Sequence, residues 1–354
     1  VRVRPMSPSG KVTVGRTVDW GFAAAFGAKL ARPAPAATEY TRRQAIEQLA
    51  DSALRAEMPV REVTGLNEGG EVSDARIIDR PEWIKAASRS MRAMTGGKET
   101  DKPHFITGRV TGAQTGAVLA FISSGILGQY DPFADNGGEL LLVYPNVIAV
   151  ERQLRVVPAD FRLWVCLHEV THRVQFRANP WLADHMSSSL AVLTEETGDD
   201  VTEMIGRLAG FVRDRRDGVP PEPNMTGVLG VLRAVQSEPQ QRALDQLLVL
   251  GTLLEGHADH VMDAVGPAVV PSVVTIRRRF EERRTRRQSP LQRVLRALLG
   301  IDAKMSQYTR GKAFVDHVVG RVGMARFNTI WTGPETLPLP VEIEEPQRWI
   351  DRVL

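Results

Sequence analysis

Cysteine is almost missing. Cys166 is the single cysteine in 354 residues, so no disulfide can form within the chain and a core must hold the fold, as in a reducing compartment. An excess of one charge is missing too. The net charge is +3, a balance that calls for neither a nucleic-acid partner nor an acidic membrane surface. Long hydrophobic runs are also lacking: no stretch approaches the roughly 20 apolar residues of a membrane span. The apolar run Ala23–Ala28 is too short for a secretory signal, follows Asp19 and is broken by Lys29 and Arg32, so the expected location is the cytoplasm. Hydrophobic residues make up 43% and charged residues 25%, which excludes a disordered chain and supplies ample core for one large domain or two smaller ones.

What is present gathers around Trp164–Phe176. This stretch holds His168-Glu169-Val170-Thr171-His172 inside an apolar run. On a helix, residues four apart share a face, so His168 and His172 can converge on one ion. Glu169 falls one step round, where it can take a proton from water, and the trio matches the zinc-hydrolase arrangement. The five-residue pattern is weakly specific alone; its surroundings add weight. Pro158 suits a first turn, Asp160 puts a negative charge at the positive end of the dipole, and Asn179-Pro180 is a stop signal. Trp164, Val165, Leu167, Val170, Val174 and Phe176 leave almost no polar face. Such a helix is buried, and histidines with a carboxylate buried there need partners. The competing reading is a pair of hydrogen-bonded core histidines; a Zn2+ site is favoured over it. Cys166 points away from His168 and is read as packing.

The second informative stretch is Leu253-Leu254-Glu255-Gly256-His257-Ala258-Asp259-His260. Its helix has clear limits: Ser237-Glu238-Pro239-Gln240 has capping-box spacing, and Gly266-Pro267 ends it. Glu255 and Asp259 lie four apart on one face, with His257 and His260 turned elsewhere. Three-ligand zinc sites of the two-His, one-Glu kind keep a position open for water. Glu255 is therefore the expected third ligand, and Asp259 the expected acceptor for the free ring nitrogen of a ligand histidine. His257 or His260 is the rival third ligand.

Elsewhere the pattern predicts a helix led by Val18-Asp19-Trp20 and another over Thr41–Ala56 with Ile46, Leu49 and Leu54 on one side. It predicts loops at Pro59–Val63 and Glu68–Glu71, a helix starting at Asp79, a polar linker over Thr95–Pro103 and a buried helix over Gly116–Leu127 closed at Gln129–Phe133. Gly137–Ile148 is the strongest strand candidate, either an edge strand open to an extended peptide or an ordinary sheet strand. Asp214–Pro223 reads as a loop and Leu291–Leu299 as a short packed helix. Arg277–Arg287 is the densest basic run, read as a solvated helix with the four-apart pairs Arg277–Glu281 and Arg278–Glu282. The proline-rich tail, Pro334–Pro346, is expected on the surface before a short helix at Trp349. An N-terminal helical region over 1–105 and a core over 106–354 with further C-terminal helices are expected, packing as one unit or two.

The run Phe161–Phe176, then Pro180-Trp181-Leu182, then Leu254–Asp259 resembles a bacterial zincin-like metalloprotease family. That family is abundant in actinomycetes and sometimes labelled as associated with deazaflavin coenzyme biosynthesis. Val18-Asp19-Trp20, Leu127–Pro132 and Trp331–Pro338 look like the same family, so the resemblance spans nearly the whole chain. It implies a zincin-like fold, mainly α with a small sheet (α+β), and it resembles the glutamate-ligand zincins in pairing His-Glu-x-x-His with a later Glu-x-x-x-Asp. The expected activity is zinc-dependent hydrolysis of a peptide, with His168, His172 and Glu255 as ligands and Glu169 as base. Tyr308, or else His317, is the candidate to stabilise the oxyanion. A zincin-fold scaffold without activity and a small-amide hydrolase linked to cofactor metabolism are the alternatives. Oligomeric state is not readable.

Overall fold

The computed structural model describes residues 14–66, 74–98, 104–135, 137–194, 237–285 and 301–354, without the side chains of 14, 15, 194, 283–285 and 301–309. The expected loops at Glu68–Glu71 and Asp214–Pro223, linker residues 99–103 and the expected helix Leu291–Leu299 lie outside the described residues. The protein is mainly helical around a three-stranded sheet. The first half runs α1 (Val14–Thr17), α2 (Trp20–Leu30), α3 (Glu39–Arg55), α4 (Glu57–Thr64), β1 (Arg76–Ile78), α5 (Arg80–Met94), α6 (Phe105–Ser123), β2 (Gly128–Asp131) and β3 (Glu139–Val143). Then come α7 (Tyr144–Leu154), α8 (Pro158–Ala178), α9 (Trp181–Thr194), α10 (Glu238–Val265), α11 (Val273–Thr285) and α12 (Ile301–Val322). The tail adds the short helices α13 (Met324–Phe327), α14 (Pro340–Glu344) and α15 (Pro346–Val353).

Helix starts follow the capping residues. Asp19 accepts the Phe22 amide at 2.9 Å, and Asp79 and Glu82 cap α5 reciprocally at 2.9 and 3.1 Å. At α10 half of the expected box forms: Gln240 accepts the Ser237 amide at 3.0 Å, while the Ser237 hydroxyl has no hydrogen-bond partner among the described residues. Several boundaries differ from the sequence reading. Pro59–Val63 is not a loop but the body of α4, because Pro59 falls in its first turn where no N–H is needed, and Gly65 closes it at φ 62°. The helix expected from Gly116 starts at Phe105 and ends at Ser123. Its glycines sit against α2, where a Cβ on Gly116 would lie 2.5 Å from the Ala23 carbonyl. Leu54 is exposed; Ala45, Leu49, Ser52 and Ala53 form the buried face of α3.

The sheet order is β1-β3-β2, with β1 parallel and β2 antiparallel to β3. Gly137–Ile148 is therefore strand through Val143 alone, and Pro145 in the first turn of α7 takes the chain out of the sheet. Being central, β3 cannot receive an extended peptide. Gln129–Asp131, expected as a closing turn, instead belongs to edge strand β2, whose Gly128 pairs opposite Leu142.

Helix α8 is buried nearly all round, as its composition demands. Its two buried arginines are matched by carboxylates. Arg162 meets Glu151 at 2.7 and 3.0 Å and Gln48 at 2.6 Å, and Arg173 meets Glu57 at 2.5 Å. Cys166 is fully buried and faces the Leu49 carbonyl. The tail Pro334–Pro346 does more than wrap the surface: Leu337, Glu342 and Ile343 are buried, and beyond it Trp349, fully buried against Phe314 and Phe327, donates to the Thr336 carbonyl at 2.8 Å. No helix among the described residues is long and apolar enough to cross a membrane.

Candidate metal centre

Helices α8 and α10 pack together, and their contact brings three side chains to one point. His168 Nε2 lies 3.2 Å from His172 Nε2. Glu255 Oε2 lies 3.2 Å from His168 Nε2 and 3.8 Å from His172 Nε2. Ligands held about 2.0–2.2 Å from a tetrahedral zinc stand about 3.3–3.5 Å from one another. The observed triangle is close to that face. Donor chemistry agrees, since two imidazole nitrogens and one carboxylate suit zinc. The side chains are 24%, 14% and 26% exposed, so the point opens to solvent on one side.

Close helix packing makes this possible. A Cβ on Gly256 would lie 2.1 Å from the backbone of Gly311, and one on Gly311 would lie 2.1 Å from the Thr252 carbonyl. Glycine at both positions lets α12 press against α10 directly behind Glu255. On the other side, edge strand β2 reaches α8 at Gly128, where a Cβ would lie 2.5 Å from Glu169 Cγ and 2.8 Å from Cδ. The missing side chain of Gly128 is the space that Glu169 fills.

Electrostatics follow from this crowding. Burial lowers His168, but the hydrogen bond and charge of Glu255 outweigh it and raise the ring to about 9. Burial lowers His172, and the adjacent His168 adds to that against the pull of Glu255. Of the two rings, His168 is therefore the one favoured to carry the positive charge, beside Glu255. Burial pushes the Glu169 carboxyl up to about 7, with His168 opposing and Glu255 adding. A dication at the ligand point would pull Glu169 back down by its charge.

The remaining expected residues fall differently. Asp259 does not reach a ligand ring: its carboxylate lies 3.8 Å from Arg277, and its carbonyl accepts from the same guanidinium. The free nitrogen of His168 meets Met262 Sδ at 3.3 Å, and that of His172 meets Gln175 Oε1 at 2.9 Å. His257 is fully buried behind the site. His260 turns away to Asp316 at 2.7 Å. His317 is exposed on α12, and the Tyr308 side chain lies outside the described residues. Arg277 pairs with Asp263 and Asp259 on α10 rather than with Glu281. Gln175 and Met262 were missed by the sequence reading. Each had a signal: Gln175 is three residues past His172, and Met262 is seven past Glu255 on the same face.

A solved structure from Chloroflexus aurantiacus, described as a provisional hydrolase with a novel fold, shares 29% sequence identity. It superposes with a TM-score of 0.66 over 95% of this chain and 98% of that one. No curated protein matches the chain. The family model for zincin-like metallopeptidases matches residues 18–350, a span that takes in both helices of the His168–His172–Glu255 cluster, β2 and the buried tail. The chain belongs to the zincin-like metallopeptidase family.

Proposed function

We propose that the protein is a zinc-dependent peptidase in which His168, His172 and Glu255 hold the metal and Glu169 is the general base. The observation that carries this reading is the convergence of His168 Nε2, His172 Nε2 and Glu255 Oε2 within 4.8 Å of one another, the two histidines standing on the helix that also carries Glu169. Zinc, when bound, supplies Lewis acidity for a scissile carbonyl and for water. Glu169 takes the proton of the attacking water and hands it to the leaving amine. Its surroundings suit that work, because the side chain is buried and lies close against Gly128.

Edge strand β2 supports a peptide as substrate. Its outer edge has no partner strand among the described residues, and Gly128 at its start touches Glu169. An extended peptide adding to that edge would run past the base. A scaffold needs ligands but no buried carboxyl beside them, so Glu169 speaks against that alternative. The small-amide alternative gains nothing from an open strand edge. The test is cleavage of a broad peptide library by purified zinc-loaded protein beside the Glu169→Gln variant. The expected result is cleavage by wild type and a loss of at least about 100-fold in the variant with zinc retained. A variant that cleaves at the wild-type rate overturns the assignment of the base, and wild type that cleaves no peptide overturns the peptidase reading.

A further inference from the structure

Gln175 is fully buried on α8, one turn beyond His172. Its amide makes three hydrogen bonds and joins the two helices that carry the ligand cluster. Nε2 meets the Leu254 carbonyl at 3.0 Å and His257 Nδ1 at 2.9 Å, while Oε1 meets His172 Nδ1 at 2.9 Å. The partners fix which end of the amide is which. A backbone carbonyl can only accept, so the NH2 group faces Leu254 and the oxygen faces His172. An amide oxygen also can only accept, so His172 Nδ1 must carry a hydrogen. The proton of a neutral ring is then spent on that side, and Nε2 presents a bare lone pair to His168 and Glu255. His257 receives the second amide hydrogen on Nδ1, which leaves its own proton on Nε2.

We propose that Gln175 is the positioning residue of this centre: it locks His172 in the Nδ1–H tautomer, aims Nε2 at the ligand point, and ties α8 to α10 through Leu254 and His257. His257, a rival third ligand from sequence, is the anchor of that amide. Its ring lies 5.4 Å from both Phe327 and Trp331, and its Nε2–H has no hydrogen-bond partner among the described residues. A buried donor left without a partner destabilises the fold. An apolar ring would fill the slot without that cost, so the cost is tied to the acceptor that His257 offers Gln175. The chain of contact runs from the C-terminal segment at Phe327 and Trp331, through His257 and Gln175, to His172.

The tautomer assignment stands on hydrogen bonding alone, whereas the effect on metal affinity rests on the zinc reading above. Long-range 1H–15N spectra of wild type, zinc-loaded and chelator-stripped, report the His172 tautomer without any variant. Nδ1–H in both forms is expected; a ring protonated on Nε2 in the stripped protein overturns the proposal. Zinc affinity by competition with a chromophoric chelator then tests Gln175→Met, which keeps length and loses all three bonds. A weakening of about 10- to 100-fold is expected, with circular dichroism unchanged and the stripped His172 ring now a tautomer mixture. Wild-type affinity with an unchanged tautomer overturns the proposal. Should Gln175→Met fail to fold, His257→Phe keeps the stacking and removes the acceptor together with the unpartnered Nε2–H; weaker zinc binding supports the proposal and unchanged binding counts against it. Wild type that binds no zinc defeats the metal reading, and the tautomer spectrum still decides the role of Gln175.

Discussion

Gly128→Ala would add one carbon where Glu169 now lies. The new Cβ would sit 2.5 Å from Glu169 Cγ, 2.8 Å from Cδ and 2.9 Å from Leu142 Cδ2. Carbon atoms rest comfortably at about 3.5–4.0 Å, so about 1 Å of movement is required. Leu142 is fully buried on the central strand and cannot retreat. Helix α8 is enclosed on nearly every face, so its backbone is held as well. The Glu169 side chain is what gives way. A displacement of about 1 Å in a reacting group can cost about 100-fold in rate, while overpacking costs about 1–3 kcal/mol of stability. Zinc-loaded Gly128→Ala should therefore stay folded in urea denaturation, retain its metal and lose about 100-fold in kcat. Gly320→Ala is the control, because nothing lies within 4 Å of its added Cβ; it should leave turnover unchanged and stabilise the helix by about 0.5–1 kcal/mol. Wild-type turnover in folded Gly128→Ala would refute the claim that this glycine makes room for the base.

Other perturbations probe the frame. Gly256→Ala places a Cβ 2.1 Å from backbone that cannot rotate aside, so chemical denaturation should report a loss of about 3 kcal/mol or more. Arg162→Met strands the buried Glu151 carboxylate without its two bonds at 2.7 and 3.0 Å, at about 3–5 kcal/mol by urea denaturation, and adding Glu151→Met should recover most of it. The tail should give an acid limb. Burial opposes the charge of Glu342, but Arg352, at 2.6 and 2.8 Å, outweighs it and holds the carboxyl below its ordinary 4.5. A depressed carboxyl stabilises the fold above its ordinary value and loses that contribution as pH falls through the folded one. Stability measured by denaturation should therefore drop below about pH 4.5 in wild type, and Arg352→Ala should flatten that part of the profile.

The clustering of His168 and His172 with Glu255 was legible because helical spacing is a local property. His168 and His172 share a face wherever their helix packs, and Glu255 stood out on a helix with readable ends. The helix starts at Asp19 and Asp79 were legible for the same reason. Long-range placement was not. Nothing local to Gly137–Ile148 says that β1 and β2 would flank it and make it central. Asp259 was on the expected face, yet the crossing of α10 over α8 gives the ring nitrogens to Gln175 and Met262 and leaves Asp259 to Arg277. The need for glycine at 128 and 256 arises from approaches between distant segments, which spacing within one segment does not encode.

The most direct test is of the metal itself. Protein equilibrated with excess zinc and dialysed into zinc-free buffer is assayed by elemental analysis, beside His172→Ala and Glu255→Ala. The three atoms that converge within 4.8 Å predict about one zinc per chain in wild type and a small fraction of that in either variant, with circular dichroism unchanged. Equal zinc in all three proteins, or none in wild type, would contradict the account.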